Sequence, residues 1–216
     1  FALAQQMLLG ERPIRDFSDP GWPLTYMLSA GAWQLFGDAM SVEWTVVVLS
    51  LATGAAFTCL TAYKLAGSLW IAVLVSLLEL VVYPRTYSHP KMLVYAVGAW
   101  LMISLAERPS RRRLVGMSAA IATAFLLRHD HGVYLGVAAA VCLMLASRSA
   151  GWRTALGRAA LLTAATASWL LPWMLFVMAN GGLVAYFDRA LEYAREESSA
   201  TTLRDWPRVT LVPGKP

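Results

Sequence analysis

A chain of 216 residues that is 58% hydrophobic, 14% charged and of mean hydropathy +0.54 lacks the polar surface of a soluble domain, where about a quarter of the residues are charged. Its formal charge of +5 resides in short clusters between apolar runs, which excludes a nucleic-acid module, and Cys59 and Cys142 stand alone in apolar stretches, which excludes a disulfide framework. The apolar runs of about 15 to 24 residues, parted by Arg, Pro, Gly and His, predict an all-α, polytopic transmembrane helical bundle.

The first 40 residues read as an external loop carrying two juxtamembrane helices. In the first, Phe1, Leu3, Met7 and Leu8 fall opposite Gln5 and Gln6, and Gly10 closes a short interfacial helix over residues 1–10. Asp19-Pro20-Gly21 then marks a turn, Pro23 suits a first helical position, and the apolar run stops at Gly37-Asp38. The segment 23–36 is too short to cross a bilayer, and Trp22, Tyr26 and Trp33 belong at a headgroup interface.

A transmembrane domain over residues 41–180 follows, with about six spans at 42–65, 68–83, 92–106, 114–127, 133–146 and 159–179. Several are short, so flanking Lys and Arg must snorkel, or two of the short spans are re-entrant hairpins. One set of connections holds Lys64, Arg108, Arg111, Arg112, Arg113, Arg148, Arg153 and Arg158, and the opposite set Arg12, Arg15, Arg85, Lys91 and Arg128. Eight cations against five make the first set cytoplasmic, placing residues 1–40, 84–91 and 128–132 outside a plasma (inner) membrane.

The tail from residue 181 is external as well. YFDRALEYAREESSA reads as an amphipathic surface helix, with Phe187, Ala190, Leu191 and Ala194 on one side and Arg189, Glu192, Glu196 and Glu197 elsewhere. TTLRDWPRVTLVPGKP has no period and reads as the start of a truncated region.

Three external loops, ERPIRDFSDP, YPRTYSHPK and RHDHG, carry groups able to bind anions or move protons, and the last two hold every His of the chain. Each alone reads as solvated loop; on one face they predict a shared site. His129 and His131 are two apart with Asp130 between them, a spacing that does not support a metal, although a divalent ion stays open. Asp130 has two readings, an ion pair holding a tight hairpin or a group orienting a phosphate-binding Arg or His. Glu79, an acid near the outer end of its span, calls for a function or for a pairing with Tyr83 and Arg85.

The order GERPIRDF, PGWPLTY, WQLFGD and LTAYKLAG resembles the region after the first transmembrane helix of GT-C glycosyltransferases, of the bacterial protein O-mannosyltransferase-like and lipid A aminoarabinose transferase-like kind. The resemblance is best over residues 1 to about 66 and covers topology to about 180, and it implies the N-terminal transmembrane part of a longer enzyme. Two juxtamembrane helices in the first outer loop are a feature of that family. Its acidic motif would lie upstream of Ala4-Gln5-Gln6-Met7-Leu8-Leu9-Gly10, so the resemblance puts the main catalytic Asp ahead of Phe1. The chain departs from the pattern at Gly21-Trp22-Pro23, where relatives often show Lys-Pro-Pro, and at Glu43-Trp44, where an Arg is frequent.

The implied activity is transfer of a sugar from a polyprenyl-phosphate donor to an extracytoplasmic hydroxyl or amine, the acceptor being a protein, lipid or glycan. An anionic leaving group needs fixed cations near the headgroup plane. Arg85, His89, Lys91, Arg128 and His129 are the candidates to bind the donor phosphate, with Asp130, His131 and Glu79 supporting them. Asp16 and Asp19 are the visible acids for the catalytic step. The partners are the lipid-linked sugar and the bilayer, with no nucleic acid and no resident cofactor. The rival readings are a transporter and a lipid-handling or assembly protein without chemistry; of the features a transporter wants near mid-membrane, Glu79 alone hints.

Overall fold

A computed structural model describes residues 2–82 and 89–202. In chain order the helices are α1 (Ala2–Leu8), α2 (Pro23–Phe36), α3 (Met40–Ala66), α4 (Leu69–Val81), α5 (His89–Glu107), α6 (Arg111–Leu127), α7 (His129–Ala146), α8 (Trp152–Asn180) and α9 (Leu183–Thr202), with a 3-10 turn at Arg148–Ala150. No strand occurs among the described residues, and the all-α bundle expected from the apolar runs is what forms. Each expected span is a helix. Three of them, α3, α7 and α8, are long and apolar enough to cross a membrane; α4, with 13 residues, is a shorter apolar helix. Large apolar side chains such as Leu49, Trp70, Leu74 and Leu171 point outward, as a lipid-facing surface requires.

The interior is built by α5, α6, α7 and α8. Met117, Leu135 and Leu143 are nearly inaccessible there, with Ile121, Ala124 and Leu162 packed around them. Small residues let the helices approach: Gly54 of α3 lies against the backbone of Met92 and Leu93 on α5, and Gly98 of α5 faces Leu135. At one end, Arg113 donates to the carbonyls of Ser104 and Arg108 and so covers the open C-terminus of α5. Ser110 caps α6 by accepting from the Arg113 amide at 3.3 Å. Arg113, read as one of the topology-setting cations, thus also ties α5 to α6.

The two N-terminal helices form a separate small cluster. Ala4, Phe17, Tyr26 and Ala30 are buried together, and Phe17 meets the Tyr26 ring edge-on at 5.8 Å. The loop between them is folded on itself: Ile14 accepts φ +75 while its amide donates to the Phe17 carbonyl at 2.8 Å, and its side chain packs on Val177 and Tyr186.

One expectation is corrected. The RHDHG stretch is not a loop over 128–132, because only Arg128 is non-helical, extended at φ −167° and ψ 126° between the end of α6 and the start of α7. Gly132 makes this possible, since a β-carbon there would overlap Phe125 on α6. Asp130 in the first turn of α7 accepts from the His131 amide at 2.9 Å, as suits a carboxylate at a helix N-terminus. Of the YPRTYSHPK loop, residues 83–88 lie outside the described residues, and His89-Pro90-Lys91 already belongs to α5.

Candidate functional site

Four segments meet at Tyr186. Asp19, in the turn before α2, is 3% exposed; its Oδ1 accepts the amides of Gly21 at 2.9 Å and Trp22 at 3.0 Å, the arrangement that the Asp-Pro-Gly sequence favours. Its Oδ2 accepts the Tyr186 hydroxyl from α9 at 2.9 Å. The same phenol oxygen accepts Trp173 Nε1 of α8 at 3.3 Å and lies 2.9 Å from His129 Nε2 at the start of α7. Phe125 stacks on the His129 ring at 4.3 Å, and the His129 amide reaches the Gly21 carbonyl at 3.3 Å.

Burial governs the electrostatics of this knot. Loss of water pushes the Asp19 carboxyl above its ordinary range, and the hydrogen bonds from Trp22, Gly21 and Tyr186 only partly oppose that. Burial and the nearby Asp19 charge likewise hold the Tyr186 and Tyr26 phenols protonated, well above a free tyrosine. Tyr26 Oη is buried beside Asp19 without a well-formed hydrogen bond.

Beside the knot opens a cavity of about 370 Å³. Trp22, Phe125 and Val133 form one wall, and Phe187, Ala190, Leu191 and Ala194 of α9 form another. These last four are the residues expected on one side of the surface helix, and that side lines the cavity. Arg128, His129 and Asp130 supply the polar part; Arg128 Nε pairs with Asp130 Oδ1 at 3.0 Å, and its guanidinium lies 5.9 Å from the Trp22 ring. A mostly apolar pocket with a few convergent polar groups suits an amphiphile with a polar head.

A second charged layer lies beneath. His131, 6% exposed, places Nδ1 at 3.5 Å from Asp130 Oδ1 and 3.2 Å from the Tyr95 hydroxyl, and the charge of Lys91 reaches it. A further cavity of about 750 Å³ opens between α2, α6 and α8, with Leu24, Met27, Trp169 and Trp173 in its walls and Glu11 and Arg12 at its polar end.

The expected site residues therefore divide. Arg128, His129 and Asp130 share the cavity, with His131 and Lys91 behind them. His89 opens α5, and Arg85 lies outside the described residues. Asp19 is central but buried. Asp16 turns onto its own loop, accepting the Arg12 amide at 2.8 Å and pairing with Arg15 at 3.5 Å. Glu79, on α4, lines neither cavity, and its Oε2 is buried without a hydrogen bond among the described residues. No group of three His, Cys, Asp or Glu able to hold a metal occurs among the described residues.

Tyr186 and Trp173 were not foreseen. Tyr186 stands one helical turn before Ala190, so the apolar stripe already put it on the inward side. Its hydroxyl partners lie 167 and 57 residues away, beyond any local pattern. No family model matches the chain, and neither a curated protein nor a solved structure does.

Proposed function

We propose that the chain is part of a membrane glycosyltransferase that takes a sugar from a polyprenyl-phosphate donor and passes it to an acceptor on the extracytoplasmic side of a plasma membrane. The observation that carries this reading is the 370 Å³ cavity, whose apolar walls suit a lipid tail and whose polar part is Arg128 beside His129 and Asp130. The ion pair of Arg128 with Asp130 at 3.0 Å fixes the pose of a guanidinium, the group whose planar fork matches a phosphate. The two short helices ahead of α3 agree with the arrangement that the sequence resemblance implies. Lys91, whose charge reaches His131 behind the cavity, adds to the cationic character of this end of the bundle, which favours a phosphate there.

The test is Arg128→Ala in the intact protein, inserted in membranes and assayed with a polyprenyl-phosphate sugar. Transfer should fall by about tenfold or more, the factor that roughly 1.4 kcal/mol of lost transition-state stabilisation produces. Unchanged transfer would overturn the role of this cavity, and movement of the lipid across the bilayer without sugar transfer would favour a lipid-handling protein instead.

A further inference from the structure

The knot at Tyr186 admits two proton arrangements, and they differ in what it presents to the cavity. A tyrosine oxygen has one proton and two lone pairs, and an indole N–H can only donate. Trp173 therefore occupies one lone pair, leaving Tyr186 one proton and one lone pair for Asp19 Oδ2 and His129 Nε2, each 2.9 Å away. If Tyr186 donates to an ionised Asp19, His129 Nε2 carries the proton and Nδ1 keeps a bare lone pair. If Asp19 is protonated and donates to Tyr186, Tyr186 donates to Nε2, and the neutral ring carries its proton at Nδ1. All three hydrogen bonds at the Tyr186 oxygen are kept in both states.

Nδ1 is the end that opens on the cavity. No hydrogen bond to it occurs among the described residues, and it faces Gly21, which with His129 lines the cavity. A β-carbon at Gly21 would stand 2.8 Å from Nδ1 and cover it. Glycine at this place thus serves two ends, a backbone at φ +94 and an uncovered imidazole nitrogen.

We propose that Asp19, Tyr186 and His129 form a proton relay whose open end, His129 Nδ1, accepts a proton from a hydroxyl group bound in the cavity. The O–H bond breaks as Nδ1–H forms, and the electron pair stays on the substrate oxygen. The Nε2 proton passes to Tyr186 Oη, and the phenol proton passes to Asp19 Oδ2, so imidazole and phenol end neutral and Asp19 ends protonated. That the hydroxyl belongs to a sugar acceptor rests on the transferase reading. There the oxygen bonds to the sugar carbon as its bond to phosphate breaks, the electrons leaving on phosphate. Burial suits Asp19 to the terminal role, because it favours the protonated carboxyl that the step produces. The relay also gives Asp19 a catalytic connection that its 3% exposure denies it by direct contact. The charged and titratable neighbours are Tyr26 and Arg189 around Asp19, and Arg128 and Asp130 beside His129. Trp173 and Tyr186 are positioning residues, since neither opens on that cavity.

The experiment is nitrogen NMR of the full-length protein in lipid nanodiscs with 15N-labelled histidine, the His129 signals being assigned by their loss in His129→Gln. As pH rises through the titration of Asp19, the His129 proton should move from Nδ1 to Nε2. Tyr186→Phe should abolish that coupled exchange, and Asp19→Asn should remove its pH dependence while keeping an acceptor for the Gly21 and Trp22 amides. A tautomer that ignores pH in the wild type, or one whose exchange survives Tyr186→Phe, overturns the relay. With a sugar acceptor, Tyr186→Phe should lower kcat by about a hundredfold. The coupled exchange without any sugar transfer would leave the relay standing and sink the transferase reading alone.

Discussion

Gly132 and Phe125 meet where α7 leaves α6, so closely that no β-carbon fits between them. Gly132→Ala must therefore push the two helices apart where the chain passes from α6 to α7 through a single residue. Overpacking of this kind costs about 1–3 kcal/mol. Unfolding of the detergent-solubilised protein, followed by tryptophan fluorescence, should show that loss, and wild-type stability of the variant would mean that α6 and α7 separate freely.

Tyr186→Phe should loosen α9. The change strips Asp19 Oδ2, His129 Nε2 and Trp173 Nε1 of a shared partner while keeping the ring contacts with Trp173 and Phe187. A loss of about 1–3 kcal/mol, the cost of an unmet buried polar group, is expected locally. Hydrogen exchange of the α9 amides should accelerate relative to those of α6; equal protection in both proteins would remove Tyr186 from the anchoring of α9.

Asp19 predicts a pH dependence of known sign. Its carboxyl in the folded chain titrates above the ordinary value of 3.8, so the native state holds the proton more tightly than the unfolded state. Its contribution is complete below that ordinary value and is lost as pH rises through the raised native value. Asp19→Asn should gain on the wild type progressively over that window. A stability difference that does not change with pH would contradict the raised titration.

The ion pair of Lys64 and Glu107 is a contrasting case. Its atoms approach to 2.6 Å, yet the Glu107 side chain is 49% exposed, and the Lys64 ammonium also lies 4.9 Å from the Trp100 ring. Solvent screening limits such pairs to less than about 1 kcal/mol. Glu107→Gln should therefore change the unfolding midpoint little, whereas Lys64→Ala should cost more because the cation–π contact goes too; a large effect of Glu107→Gln would show the pair to be shielded.

Topology can be read by labelling. Ser110 and Arg128 cap opposite ends of α6, about 25 Å apart at the helical rise per residue. In a Cys-free background, an impermeant thiol reagent added outside cells should reach cysteine at Asp16, in the loop ahead of α2, and miss cysteine at Ser110. The reverse pattern would turn the cavity toward the cytoplasm.

The helices were legible because apolar runs, turn residues and glycine stops are local signals, which is why the start at Pro23 and the stop at Gly37 could be read from the chain, whereas α6 begins at Arg111, three residues ahead of the apolar run at 114. Arg128 and His129 stood out in the sequence for the same reason, being polar groups in apolar surroundings, and the structure brings them to one cavity. The RHDHG stretch misled because polar composition resembles a loop, whereas its fate was decided by the missing side chain at Gly132 and the facing backbone of Phe125. Tyr186 was hidden in an amphipathic pattern that looks alike whether a hydroxyl meets water or Asp19. The burial of Asp19 depends on α8 and α9, which arrive more than a hundred residues later.

A connection of one residue also couples the motions of the two helices that it joins. With Arg128 alone between them, α6 and α7 have no slack with which to tilt or slide independently at this end. Arg128, His129 and Asp130 therefore travel with that tip as one body, and a longer linker engineered at 128 would uncouple the two helices there before it altered their packing farther along.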